Sequence, residues 1–168
     1  YKGEISVWDF SEDETDSRVI FQDNGIGMSL RIVQDYFLRV GRSYYRSSEF
    51  DFERTRLAER GIELEACSLF GIGILSCFLM ADRFEVETMQ ERGEVLYILV
   101  EGPAKYFVIR RLQSSDSLWE ERLSLKTAEG PPWTSGTRVI VHLRVQESLK
   151  AEETLRAFAV NIDFPVRL

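Results

Sequence analysis

Three apolar runs follow one another closely, Phe84 to Thr88, Leu96 to Glu101 and Tyr106 to Arg110, with only Gly-containing turns at Arg92-Gly93-Glu94 and Gly102-Pro103 between them. Strands joined by so few residues pair antiparallel, since a parallel return needs a crossover of about a dozen residues. The runs therefore predict an antiparallel meander. Glu4 to Trp8 and Arg18 to Gln22 alternate polar and apolar residues as strands do, and Arg138 to Leu143 reads as a further strand. Helical patterns lie before and after. Leu30, Val33, Phe37 and Val40 keep the spacing of one buried face between a Ser29 cap and Gly41. Cys67 to Met80 is apolar nearly all round, the pattern of a central covered helix, and Ala151, Leu155, Phe158 and Ile162 mark a last helix that Pro165 stops before a Val166-Arg167-Leu168 tail. Ser114 to Lys126 is ambiguous, with a strand at Trp119 to Leu125 as one reading, and Glu129 to Thr134 is a Pro-rich loop. Grouped strands with flanking helices predict an α+β fold: a two-layer sandwich of a mixed, mainly antiparallel sheet with helices on one face. A doubly wound parallel fold would alternate its elements more regularly.

At 168 residues the chain fits a single domain over residues 1–168, large enough to bury roughly two thirds of its unfolded surface. Its 44% hydrophobic and 29% charged residues are those of a soluble globular protein, and no apolar run approaches the ~20 residues of a membrane helix. A net charge of −7, with basic residues scattered, argues against nucleic acid as a ligand and leaves room for a local phosphate pocket. Cys67 and Cys77 match neither a metal knuckle nor a disulfide framework and are read as reduced core thiols, which points to the cytoplasm. The acidic stretch Ser11 to Ser17 is a solvated hairpin loop. Tyr1 leads almost at once into a strand with no signal peptide, so the chain is expected to be a piece of a longer protein.

Two glycine blocks carry the chemistry. In Asp23-Asn24-Gly25-Ile26-Gly27-Met28 a carboxylate sits on a turn made pliable by two glycines, so acid and backbone can both approach a flat ligand. In Phe70-Gly71-Ile72-Gly73-Ile74-Leu75-Ser76 glycines lead into the apolar helix, whose free amides and dipole favour an anion. A third block, Ser135-Gly136-Thr137, enters the strand at Arg138. Each block alone recurs by chance; their order and spacing carry the weight. Between the first two, Arg42 to Glu65 holds 11 ionisable residues in 24. It reads either as a solvated surface loop or helix, or as a mobile lid over approximately 42–66.

With Gly71 to Asp82 and Gly136-Thr137, the first block resembles the ATP-binding (Bergerat) domain of the gyrase, heat-shock protein 90, histidine kinase and MutL (GHKL) superfamily. Within it the likeness is closest to the heat-shock protein 90 chaperones, whose Gly-x-Gly-x-x-Ser-x-x-Leu-x-Ala-Asp pattern is met by Gly71 to Asp82. The Asn161 to Leu168 ending resembles that family's passage from nucleotide domain to middle domain. The resemblance implies that Asp23 accepts from the adenine amino group, with Thr137 helping through a water. Gly25 and Gly27 would let the base approach and Met28 would pack on its face. Arg42, Ser43 and the backbone of Gly71, Ile72, Gly73 and Ile74 would face the phosphates. ATP over GTP follows, because the guanine carbonyl would set a second acceptor against the carboxylate.

The resemblance also implies departures. The family's catalytic glutamate and magnesium-binding asparagine lie on a helix ahead of the first strand, so no catalytic residue is expected in this segment, and Glu63 and Glu65 read as solvated glutamates. Magnesium and hydrolysis are expected of the full-length protein, this segment alone being inactive. Asp35-Tyr36-Phe37-Leu38-Arg39 stands where the chaperones carry a polar Asn- and Gly-containing stretch, so Tyr36 and Arg39 are expected to alter ribose or phosphate contacts. The favoured function is the ATP-binding domain of a heat-shock protein 90-like chaperone ATPase, binding ATP and ADP, acting on client or partner proteins, and working as a cytoplasmic homodimer with no membrane or nucleic acid partner. The alternatives are a nucleotide-gated regulatory, signalling or defence module without chaperone activity, and a histidine-kinase catalytic domain, which the ending disfavours. His142 reads as a satisfied structural residue, and Trp8, Trp119 and Trp133 as packing.

Overall fold

Residues 3–11, 17–63, 70–90, 94–113, 134–144 and 165–167 are described in the computed structural model, and they fall into two compact units, residues 30–76 and the remainder. The larger unit is built on strands β1 (Ile5–Ser11), β2 (Ser17–Asp23), β3 (Ala81–Met89), β4 (Val95–Glu101), β5 (Tyr106–Leu112), β6 (Gly136–Leu143) and β7 (Val166–Arg167). Among the described residues these form one sheet in the order β5-β4-β3-β6-β2-β1-β7. Every pairing is antiparallel except that of β7 with β1. The expected α+β fold with a mixed, mainly antiparallel sheet is what the chain adopts. The meander is β3 to β5, its second turn passing through Gly102 at φ 63°. The Val166-Arg167 tail joins the sheet edge beside Ile5.

Register divides the sheet into two faces with different chemistry, because successive side chains on a strand point to opposite sides. On one face Phe84 and Val86 of β3 lie beside Val141 and Val139 of β6, and the short helix α3 (Cys77–Met80) packs there, with Phe78 5.1 Å from the Phe84 ring. On the other face Glu85 and Glu87 lie beside Ile140 and Arg138. Both glutamates are buried. The Arg138 guanidinium donates to Glu87 Oε2 at 3.0 Å and to Gln22 Oε1 at 2.9 Å, and Glu85 meets His142 Nε2 at 2.7 Å. His142 is thus a structural residue of the ladder, as its setting in a strand predicts. This is how an interior strand accommodates charge: Glu87 has its partner Arg138 at its own register position, and Glu85 reaches diagonally to His142, two residues along β6 from its register partner Ile140.

The smaller unit is helical. A helical turn α1 (Leu30–Ile32) passes into a π turn (Val33–Phe37), a 3₁₀ turn (Tyr44–Arg46) leads to α2 (Ser48–Ala58), and a second 3₁₀ turn occupies Gly73–Ser76. Val33 is buried as its spacing predicts, whereas Val40 is 62% exposed. The π turn explains the difference: Leu38 N donates to Val33 O at 3.0 Å, five residues back, which breaks the phase of the 3.6-residue repeat and ends the helix before Val40. The expected helix over Cys67 to Met80 is also corrected. Residues 64–69 lie outside the described residues, and the rest makes only the Gly73–Ser76 and Cys77–Met80 turns. Phe70 and Leu79 are 70% and 80% exposed rather than core. Gly71, at φ 63°, holds a conformation no helix contains, so the apolar run cannot continue through it. The readings of Ser114 to Lys126, of Trp119 and Trp133, of Cys67 and Glu65, and of the Ala151 to Ile162 helix fall outside the described residues.

Candidate functional site

Asp23 closes β2, and the sheet register carries on from it. Gln22 opposes Arg138, so Asp23 stands level with Thr137, and Thr137 in turn opposes Thr88 of β3. One cross-strand row of polar side chains therefore ends the apolar face formed by Phe21, Val139 and Val86. Asp23 Oδ1 accepts from the amides of Gly25, at 2.7 Å, and Thr137, at 3.2 Å. Both bonds fall on one oxygen, which fixes the carboxylate plane and leaves Oδ2 to accept from a ligand. Burial pushes the Asp23 carboxyl above its ordinary 3.8, the two amide bonds opposing the rise.

Two glycines let backbone close in around this acid. Gly136, at φ 116°, would place a Cβ 2.1 Å from Asp23 O. Gly27, at φ 67°, would place one 2.1 Å from Met89 O. Neither position accepts a side chain without displacing main chain. Met28 follows, its amide donating to Thr88 Oγ1 at 2.8 Å. The same hydroxyl lies 3.2 Å from Gly136 O and 3.0 Å from Thr137 Oγ1. Thr88 has no mark in the sequence beyond ending an apolar strand; only the register reveals that it joins the Asp23 and Thr137 row. A half-buried acid with a free oxygen, a hydroxyl beside it and a loop held close by glycine suit a flat ligand that offers a donor on its edge.

In the smaller unit the second block is held against Arg42. A Cβ on Gly71 would lie 2.1 Å from Arg42 O, and Gly41 N donates to Gly71 O at 3.2 Å. Arg42 is exposed, and nothing lies within 4 Å of a Cβ built on Gly73, so this backbone is open. Ile72 is exposed and Ile74 half-buried, while Ser43 precedes the 3₁₀ turn and its carbonyl accepts from Arg46 N. The long helix dipole expected behind these glycines is absent here, the turn being four residues long. Tyr36 and Arg39, expected to alter ligand contacts, are engaged inside the unit. Tyr36 donates to Glu49 Oε2 at 2.9 Å, and Arg39 donates to Gln34 O at 3.1 Å and pairs with Asp35. Glu49 also takes Arg31, and Tyr44 donates to Glu53, its hydroxyl pushed up to about 12 by burial and that carboxylate. The charged stretch after Arg42 contains the solvated helix α2, with Phe50 packed against Tyr44 and Tyr45. Glu63 is exposed. Cys77 is a free, half-buried thiol whose pKa burial raises.

No family model matches the chain. Single relatives do. It is 27% identical over 173 residues to chaperone protein HtpG of Actinobacillus pleuropneumoniae, covering 99% of this chain and 24% of that protein. HtpG of Nitratidesulfovibrio vulgaris is 28% identical over 168 residues, with 95% and 24% covered. The mitochondrial TNF receptor-associated protein 1 homolog of Dictyostelium discoideum is 26% identical over 167 residues, with 94% and 20% covered. The likeness is to heat-shock protein 90-type chaperones. It runs through nearly the whole chain, while the chain spans about a quarter of the length of the curated HtpG relatives it matches. Among the described residues no helix is long and apolar enough to cross a membrane.

Proposed function

We propose that this chain is the nucleotide-binding segment of a heat-shock protein 90-like chaperone ATPase of the GHKL superfamily. The observation that carries the reading is the Asp23 carboxylate, fixed through one oxygen and open at the other, in a row with Thr137 and flanked by Gly27 and Gly136. Oδ2 accepts from the amino group of adenine, Thr137 completes the contact to the base edge, Gly25 and Gly27 admit the ring, and Met28 lies along it. Phosphate contacts by Arg42, Ser43, Gly71, Ile72, Gly73 and Ile74 belong to the same proposal and rest on the family resemblance together with the open backbone at Gly73.

Among the described residues no three His, Cys, Asp or Glu side chains are grouped to hold a metal ion. From the family resemblance alone, the magnesium site and the hydrolytic glutamate are proposed for a helix of the full-length protein ahead of β1. The reading places the protein in the cytoplasm as a homodimer acting on client proteins, with the charged segment over approximately 42–66 serving as a lid.

Calorimetry on the whole natural protein tests the base site. ADP and ATP should bind, GDP and GTP at least tenfold more weakly, about the cost of one mispaired buried polar group. Asp23→Ala should remove binding. Equal affinity for adenine and guanine nucleotides would end the reading. A purified segment of residues 1–168 should show no ATP turnover, and magnesium-dependent turnover lost on Asp23→Asn would overturn that part.

A further inference from the structure

Thr88 occupies a position that packing alone would give to valine. It is fully buried on β3, its neighbours on the same face being Val86 along the strand and Leu96 across it on β4. A hydroxyl in such surroundings is costly unless it is bonded, and this one meets three partners. It accepts from the Met28 amide at 2.8 Å, stands 3.0 Å from Thr137 Oγ1, and reaches Gly136 O at 3.2 Å. Met28 ends the loop that starts at Asp23; Gly136 and Thr137 open β6 on the other side of the acid.

We propose that Thr88 is a positioning residue of the base site: one hydroxyl fixes the Met28 end of the loop and the Gly136-Thr137 entry of β6 at the spacing that a base on Asp23 requires. This inference rests on the nucleotide reading. Thr88 itself does not touch the ligand. It acts through Met28, whose amide it holds, and through Thr137, whose hydroxyl has Thr88 as its hydrogen-bonding neighbour whichever of the two donates. The chemistry explains why a threonine replaces an aliphatic residue in an otherwise apolar stretch of the strand's inner face.

Thr88→Val keeps the shape and removes the hydroxyl, and Thr88→Ser keeps the hydroxyl and removes a methyl. In the whole natural protein Thr88→Val should bind ADP about tenfold more weakly while Thr88→Ser stays within about twofold of wild type, the scale set by one buried hydrogen bond. Without ligand, hydrogen exchange at the Met28 amide should quicken in Thr88→Val and not in Thr88→Ser. If Thr88→Val does not fold, Thr88→Ala removes the same group with less bulk and takes its place in both measurements. Equal losses in the Ser and Val variants would show a packing role and overturn the inference. So would wild-type ADP affinity and unchanged Met28 exchange in Thr88→Val, with Asp23→Ala still abolishing binding. A wild-type protein that binds no ADP overturns the nucleotide reading instead, and Met28 exchange then still decides whether Thr88 holds the loop.

Discussion

Asp23 shows how one residue can work against the stability of its own fold. Burial raises its folded pKa above 3.8, so the ionised form is disfavoured in the native state relative to the unfolded chain. The sign follows from linkage: the stabilising contribution is fully present below the unfolded value and is lost as pH rises through the folded one. At neutral pH the buried charge is therefore a cost, and Asp23→Asn, whose amide oxygen can still accept from Gly25 and Thr137, should melt higher than wild type at pH 7. That gain should shrink towards pH 3, where Asp23 is protonated in both states. Thermal denaturation at the two pH values checks this, and a variant less stable than wild type at pH 7 would refute it. The same substitution should abolish nucleotide binding, the trade of stability for function seen where a site needs a strained or buried group. The acid itself was legible in the sequence because an Asp beside two glycines marks a turn. Its neighbour Thr88 was not legible, because a threonine at the end of an apolar run has the pattern of any strand residue.

Among the elements, helix α2 owes its start to a residue rather than to its faces. It is polar along most of its length with only Phe50 buried, and Ser47 Oγ accepts from Phe50 N at 3.1 Å to close its first turn. Glu49 and Asp51 in that turn suit the positive end of the helix. Ser47→Ala should therefore lower stability by about 1 kcal/mol and speed exchange at the Phe50 amide; unchanged exchange there would show that tertiary contacts set the helix start. The β3 and β6 pair depends on a different device. The Glu87 and Arg138 side chains are 1% and 6% exposed, so truncating Glu87 removes a buried ion-pair contact from the guanidinium. Glu87→Ala should cost roughly 3–5 kcal/mol in urea denaturation, several times the effect of an exposed pair such as Arg54 with Asp51. A loss under 1 kcal/mol would mean that the other contacts of Arg138, its bond to Gln22 among them, suffice for the guanidinium. Strands were readable at this scale because alternation and glycine turns are local signals. Apolar content alone predicts a helix through Cys67 to Met80, but Gly71 and the direct entry of Ala81 into β3 leave two short turns there among the described residues.

For the molecule as a whole, the two units differ in what holds them. The sheet unit buries Val7, Ile20, Phe84, Val86, Ile98 and Ile140, whereas residues 30–76 bury only Val33, Ser47 and Phe50 among the described residues. Fewer buried apolar side chains mean a smaller free energy for local opening. Amides of residues 30–63 should exchange through local unfolding well before those of β3, β4 and β6, and nucleotide should slow them if this segment is a lid. Hydrogen exchange with mass detection reads both, and uniform protection across the units would contradict the first expectation. The sequence by itself determined the sheet, its antiparallel meander, the identity of the acid and the likeness to heat-shock protein 90-type chaperones, because strand alternation, turn glycines and motif spacing are written along the chain. Only the tertiary structure decided that Asp23, Thr137 and Thr88 share one row, that Glu85 and Glu87 are buried against His142 and Arg138, and that Tyr36 and Arg39 make contacts within their own unit. Each of these depends on strand register or on helix phase, where a shift of one residue exchanges one face for the other and no local pattern records which was chosen.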